Sequence, residues 1–167
     1  MDQRLIAELE EYLSLQHILR DSPEYYEQLH VDETMRRLKI QARLRLKRTM
    51  AVNEFGPDQG TFFFLLRSYN RKKRNLDAIL EKSRPDEETL HHLKTESGYK
   101  PAPEVTMRIL LAMEFSEMDA RNFLNEADMS FRPYEYLDLI VLFCLRKHIY
   151  DLNQVNELLA LHGVAPL

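Results

Sequence analysis

From Asn75 to Phe115, apolar residues recur at helical spacing in three short runs, and the breaks between them are brief and polar. Ser83-Arg84-Pro85-Asp86 divides the first run from the second. Ser97-Gly98-Tyr99 follows the second, and the third enters through Pro101 and Pro103. A helix, a tight turn and a helix, with another helix close behind, is the local structure this spacing predicts.

The rest of the chain agrees with helix. It has four glycines in 167 residues and is rich in Leu, Glu, Arg, Lys and Met, which favour helix. Valine is scarce and no Asn-Gly or Asp-Gly hairpin turn occurs, so strands have little support. The expected class is all-α. The length suits one compact core, or a small domain with an extension. Leu137 to Leu145 is the longest greasy stretch, is interrupted by Asp138, and is too short to span a bilayer. Glu8, Glu10 and Glu11 stand where a signal peptide needs a basic start and an apolar middle. The single cysteine, Cys144, can form no internal disulfide, which fits a reducing cytoplasm. A cytoplasmic protein with no membrane association is expected.

Leu5, Ile6, Leu9, Leu13 and Ile18 predict an amphipathic helix over 3–19. Ser22-Pro23 reads as the start of a second, running to about Val52. Within it Leu38 to Lys47 alternates at the strand period, but the residue types are helix formers and Met35, Leu38, Ala42, Leu46 and Met50 also fit a helical stripe. Asn53 to Gly60 holds two glycines and a proline and reads as a linker. Thr61 should cap a helix bearing Phe62 to Leu66 and ending in Arg71-Lys72-Lys73-Arg74. Further helices are expected over 75–83 and 85–96, the latter with Ser83 and Asp86 as a capping box. Others should open at Pro101/Pro103, at Ser116 and at Pro133, and a last one should run from Asp151 to before Gly163. The organisation is then an N-terminal helical pair (1–52), a linker (53–60), a five-helix bundle (61–129) and a C-terminal extension of two helices (130–167).

The 61–129 segment, with Ile79 and Leu80 as the apolar face of its second helix, Ser83 in the small slot before the turn, and Leu90 and Leu93 inward on its third helix, resembles the lambda-repressor-like helix-turn-helix family of bacteria and phages. The segments after it are similar to a helical extension found behind such domains in some bacterial proteins. The resemblance implies that the third helix lies in the major groove of double-stranded DNA and that the protein acts as a dimer. Its exposed face carries Glu87, Glu88, His91, His92, Lys94 and Thr95. The DNA-contacting set it implies is Arg71, Lys72, Lys73, Arg74, Arg84, Thr89, His91, His92, Lys94, Thr95 and Lys100. Arg36, Arg37, Lys39, Arg43, Arg45, Lys47 and Arg48 offer further phosphate contacts, or else a solvated helix face or a partner for the acidic first helix.

The chain departs from that family at two places. Its second helix lacks the glutamine that commonly touches phosphate, and Asp86, Glu87 and Glu88 place carboxylates at the start of the third. Acids there stabilise a helix by about 0.3–1 kcal/mol each, but they repel DNA. The net charge of −4 also differs from the basic balance usual in nucleic-acid binders. Two functions therefore stand: a DNA-binding regulator, and an adaptor in which the same fold docks a protein. Neither is an enzyme. No glycine-rich phosphate loop or nucleophile elbow occurs. His91 and His92 point about 100° apart on a helix and no other Cys or His is spaced to complete a zinc site. No cofactor or metal is expected. For self-association the candidate faces are Leu5, Leu9 and Leu13 on the first helix, or Ile140, Phe143 and Cys144 on the long one.

Overall fold

A computed structural model describes residues 2–22, 34, 35, 38, 42 and 61–167. Among these residues it contains eight helices longer than a few residues and no strand: α1 (Gln3–Arg20), α2 (Thr61–Tyr69), α3 (Leu76–Lys82), α4 (Glu87–Thr95), α5 (Pro103–Ala112), α6 (Glu117–Glu126), α7 (Tyr136–Arg146) and α8 (Leu152–Leu161). Thr34, Met35, Leu38 and Ala42 are also helical. The linker expected over 53–60 lies outside the described residues, as does most of the span in which a second N-terminal helix is expected.

The helix starts follow local capping chemistry. The side chains of Asp2, Asn75, Asp86, Ser116 and Asp151 each accept a hydrogen bond from a backbone N–H of the first turn. The Ser116 hydroxyl oxygen accepts from the Asp119 N–H at 3.1 Å, and the hydroxyl donates to the Asp119 carboxylate at 3.0 Å. The capping box expected from Ser83 does not form. Ser83 ends α3 instead, its hydroxyl donating to the Ile79 carbonyl at 3.0 Å. Asp86 caps α4 through the Thr89 N–H, so α4 begins at Glu87 rather than at 85. Pro133 likewise precedes its helix. The backbone N–H and guanidinium of Arg132 both bind Asp138, holding the chain back from helix until Tyr136.

The helix ends share another device. After α5, α6, α7 and α8 one residue takes a left-handed backbone: Glu114 (φ 50), Asp128 (φ 56), His148 (φ 58) and Gly163 (φ 67). The next N–H then reaches back five residues to a free carbonyl, as from Met129 to Leu124 (2.7 Å), Ile149 to Cys144 (2.9 Å) and Val164 to Leu159 (3.0 Å). Only the last of these stops uses the glycine that this conformation favours.

The central element is α7. Leu137 to Leu145 are all buried, and a helix that is apolar all round must have neighbours all round. Its neighbours are α1, α5, α6 and α8. On the far side of the bundle α2 packs against α4 and α6, and α3 against α5. Phe62 meets Phe123 edge-on at 5.0 Å, and Tyr69 and Phe115 complete that aromatic group around Phe123. The N-terminal helix joins the same core. Leu9, Tyr12 and Leu13 are buried, Tyr12 lies 5.6 Å from the Phe143 ring, and Lys147 binds Glu8.

Candidate functional site

The turn between α3 and α4 is built from the inside. Ser83 is fully buried, and its carbonyl accepts a hydrogen bond from Arg108 Nε of α5 at 2.7 Å. A small side chain is needed here because the helix end lies directly against α5. Arg84 then turns the chain with a left-handed backbone (φ 47), and Pro85 delivers it to the Asp86 cap. The two Thr89 hydrogen bonds, backbone then side chain, hold the Asp86 carboxyl below the usual range.

Leu93 seats α4 and is fully buried, whereas Leu90 is only half-buried. Glu87, Glu88, His91 and Thr95 are exposed; Thr89, His92 and Lys94 are intermediate. The Thr95 hydroxyl donates to the His91 carbonyl at 2.8 Å. His92 stacks on Tyr99, with ring centres 5.2 Å apart, and stands between Glu96 (2.7 Å) and Glu88 (3.7 Å). The surface that α4 presents is therefore acidic at its start and histidine-bearing in its middle.

Five of the cations expected to reach phosphate each face a carboxylate of the same chain. Lys94 Nζ binds Asp77 Oδ1 at 2.8 Å. Arg71 lies 3.5 Å from Asp119. Lys72 and Arg74 meet Glu114 at 3.4 Å and 3.3 Å, and Arg74 also donates to the Met113 carbonyl. Lys100 binds the Asp128 carboxylate at 2.9 Å and its carbonyl at 2.8 Å. Lys73 and Arg84 are exposed, with no ion pair among the described residues. Arg36, Arg37, Lys39, Arg43, Arg45, Lys47 and Arg48 lie outside the described residues. Sequence reasoning missed the partners, Asp77, Glu114, Asp119 and Asp128. No local signal exists for them, because the pairs join positions as far apart as Lys72 and Glu114.

Both faces expected to hold two copies together are internal. Leu9 and Leu13 are buried, and so are Ile140, Phe143 and Cys144, with α1 packed on α7. Among the described residues no group of three or more His, Cys, Asp or Glu side chains is arranged to hold a metal ion. No described helix is long and apolar enough to cross a membrane. No family model, curated protein or solved structure matches the chain.

Proposed function

We propose that the chain is a non-enzymatic regulatory adaptor of bacterial or phage type, in which a lambda-repressor-like helix-turn-helix arrangement docks a protein through α4. The observation that carries this reading is the charge of the exposed face. Asp86, Glu87 and Glu88 open α4, while Arg71, Lys72, Arg74, Lys94 and Lys100 each face a carboxylate of the same chain. A surface of this sign complements a basic protein segment and repels a phosphate backbone. A cytoplasmic setting belongs to the proposal, with the buried free thiol of Cys144 as support.

The second reading, a dimeric DNA-binding regulator, is favoured by the exposed Lys73 and Arg84 beside the motif. One titration separates the two. The full chain is added to a fluorescent duplex of random sequence, and separately to a fluorescent Lys/Arg-rich peptide, at low salt. The adaptor reading expects saturable peptide binding that Glu87→Gln/Glu88→Gln abolishes and that Glu157→Gln, an exposed acid on α8, leaves unchanged. Saturable duplex binding that Lys73→Ala/Arg84→Ala weakens, and that falls steeply with salt, overturns it in favour of DNA.

A further inference from the structure

A cavity of about 190 Å³ lies between α5, the end of α6 and the chain that leads into α7. Its apolar lining comes from Met107 and Leu124, both buried, and from the half-buried Met129. Its polar lining comes from Thr106, Ser130, Arg132 and Asp138. Ser130 is exposed and marks the rim. An apolar void of about 150 Å³ takes up benzene, whereas drug-sized ligands occupy about 300 Å³ or more. The space therefore suits one aromatic ring with a short tail. Two methionines, flexible and polarizable, let the lining adjust to such a guest.

The polar atoms of the lining have acceptor capacity left over. Asp138, 1% exposed, accepts three hydrogen bonds, all from Arg132, and a carboxylate can accept about four. Two of these fall on Oδ2, so the open place is on Oδ1. The buried Thr106 hydroxyl directs its hydrogen at the Ala102 and Pro101 carbonyls, at 3.0 Å and 3.3 Å, which leaves its oxygen able to accept. Arg132 commits Nε and Nη2 to Asp138. Its guanidinium is held above the ordinary value by the Asp138 hydrogen bonds first, against burial, with Glu135 and Glu104 adding to the effect. Three carboxylates around one guanidinium leave this end of the cavity net negative. A guest that donates hydrogen bonds and carries a positive charge meets both conditions.

We propose that this cavity binds a small aryl-alkyl amine in its ammonium form, the ring among Met107, Leu124 and Met129 and the ammonium on Asp138 Oδ1 and the Thr106 hydroxyl oxygen. Hydrogen bonds from an ammonium to a carboxylate are about twice as strong as neutral ones. The amine, rather than the ring alone, is therefore what the site selects. The site uses neither α4 nor its turn, so it stands or falls independently of what α4 binds.

Phenethylamine, titrated into the full chain while the methionine methyl resonances are followed by NMR, tests it. The expected result is a saturable shift of the Met107 and Met129 methyls, with the methyl of Met118, 70% exposed, unmoved. Ethylbenzene has the same shape without the amine and should bind about tenfold more weakly. Phenylpropionate should not bind. Asp138→Asn should reduce the affinity for the amine to that for ethylbenzene. Because Asp138 also holds the chain that enters α7, two milder variants stand beside it. Thr106→Val should weaken binding of the amine alone. Ser130→Trp, at the rim, should exclude both guests without lowering the thermal midpoint. No shift at either methionine overturns the proposal. Ethylbenzene binding as tightly as the amine reduces the cavity to an apolar void, and tighter binding of phenylpropionate makes Arg132 the anchor of an anion site. Either result overturns it as well.

Discussion

Lys94 Nζ sits 2.8 Å from Asp77 Oδ1 and 5.7 Å from the centre of the Phe63 ring, so one side chain of α4 touches both α3 and α2. The residue expected to meet DNA phosphate thus helps to seat its own helix. Exposed pairs of this kind contribute only about 0–1 kcal/mol. The charge is engaged, though weakly.

The contrast with the pair between Arg132 and Asp138 is measurable. The Asp138 side chain is 1% exposed and accepts from the Arg132 backbone N–H and guanidinium. Removing one partner of a buried charge strands the other. Arg132→Ala should therefore cost about 2–3 kcal/mol in urea unfolding, discounted because the guanidinium is half exposed and the backbone N–H remains. Lys94→Ala should cost less than about 1 kcal/mol and lose even that in high salt. Equal costs would remove the distinction.

Acid should loosen the junction of α6 with α7. Burial would raise the Glu117 carboxyl, but hydrogen bonds from Arg146 (2.6 Å) and Arg121 (3.1 Å) hold it below the usual range. A carboxylate depressed in the folded state stabilises above the unfolded value, and that contribution is lost as pH falls through the folded value. Comparing denaturation midpoints at neutral pH and at about pH 3, Glu117→Gln should be less stable than the parent only at neutral pH. The gap should close in acid.

The left-handed helix stops invite a stabilising change. His148 ends α7 at φ 58, a backbone that costs a side-chain-bearing residue about 1 kcal/mol or more. His148→Gly should raise stability by about 0.5–1 kcal/mol, the lost contact with the Tyr150 hydroxyl (2.9 Å) taking back part of the gain. Thermal unfolding decides this, and a lower midpoint would refute the cap assignment.

Cys144 gives a probe of the core. Burial pushes its thiol up to about 12, and the reactive species is the thiolate. Alkylation at mildly alkaline pH should be slow in the native chain and fast in denaturant. Since the folded thiol keeps a proton that the unfolded one releases, stability should fall as pH rises from the ordinary thiol range toward that value.

Much of the helical layout was legible because capping and periodicity are local. Ser116, Asp151 and Gly163 mark boundaries in the sequence, and the structure uses them. The start of α4 was misread because Ser83 and Asp86 present two competing caps. Burial decides between them: Ser83 is fully enclosed beneath α5, and only Asp86 is free to reach the first turn. The candidate site was less legible. Whether Arg71 or Lys72 is available depends on Asp119 and Glu114, brought near by the fold rather than by spacing. The docking of α1 was hidden for the same reason, since an amphipathic stripe announces that it packs but not against what.

That docking joins sites far apart in the chain: His17 Nε2 lies 3.2 Å from the Tyr136 hydroxyl, 119 positions away. During synthesis α1 therefore leaves the ribosome long before α7 exists. At roughly 5–20 residues per second, its Leu9–Tyr12–Leu13 stripe waits on the order of 6–25 seconds without its proper cover. For that interval the nascent chain carries an uncovered apolar stripe, the kind of surface that aggregates or is held by chaperones.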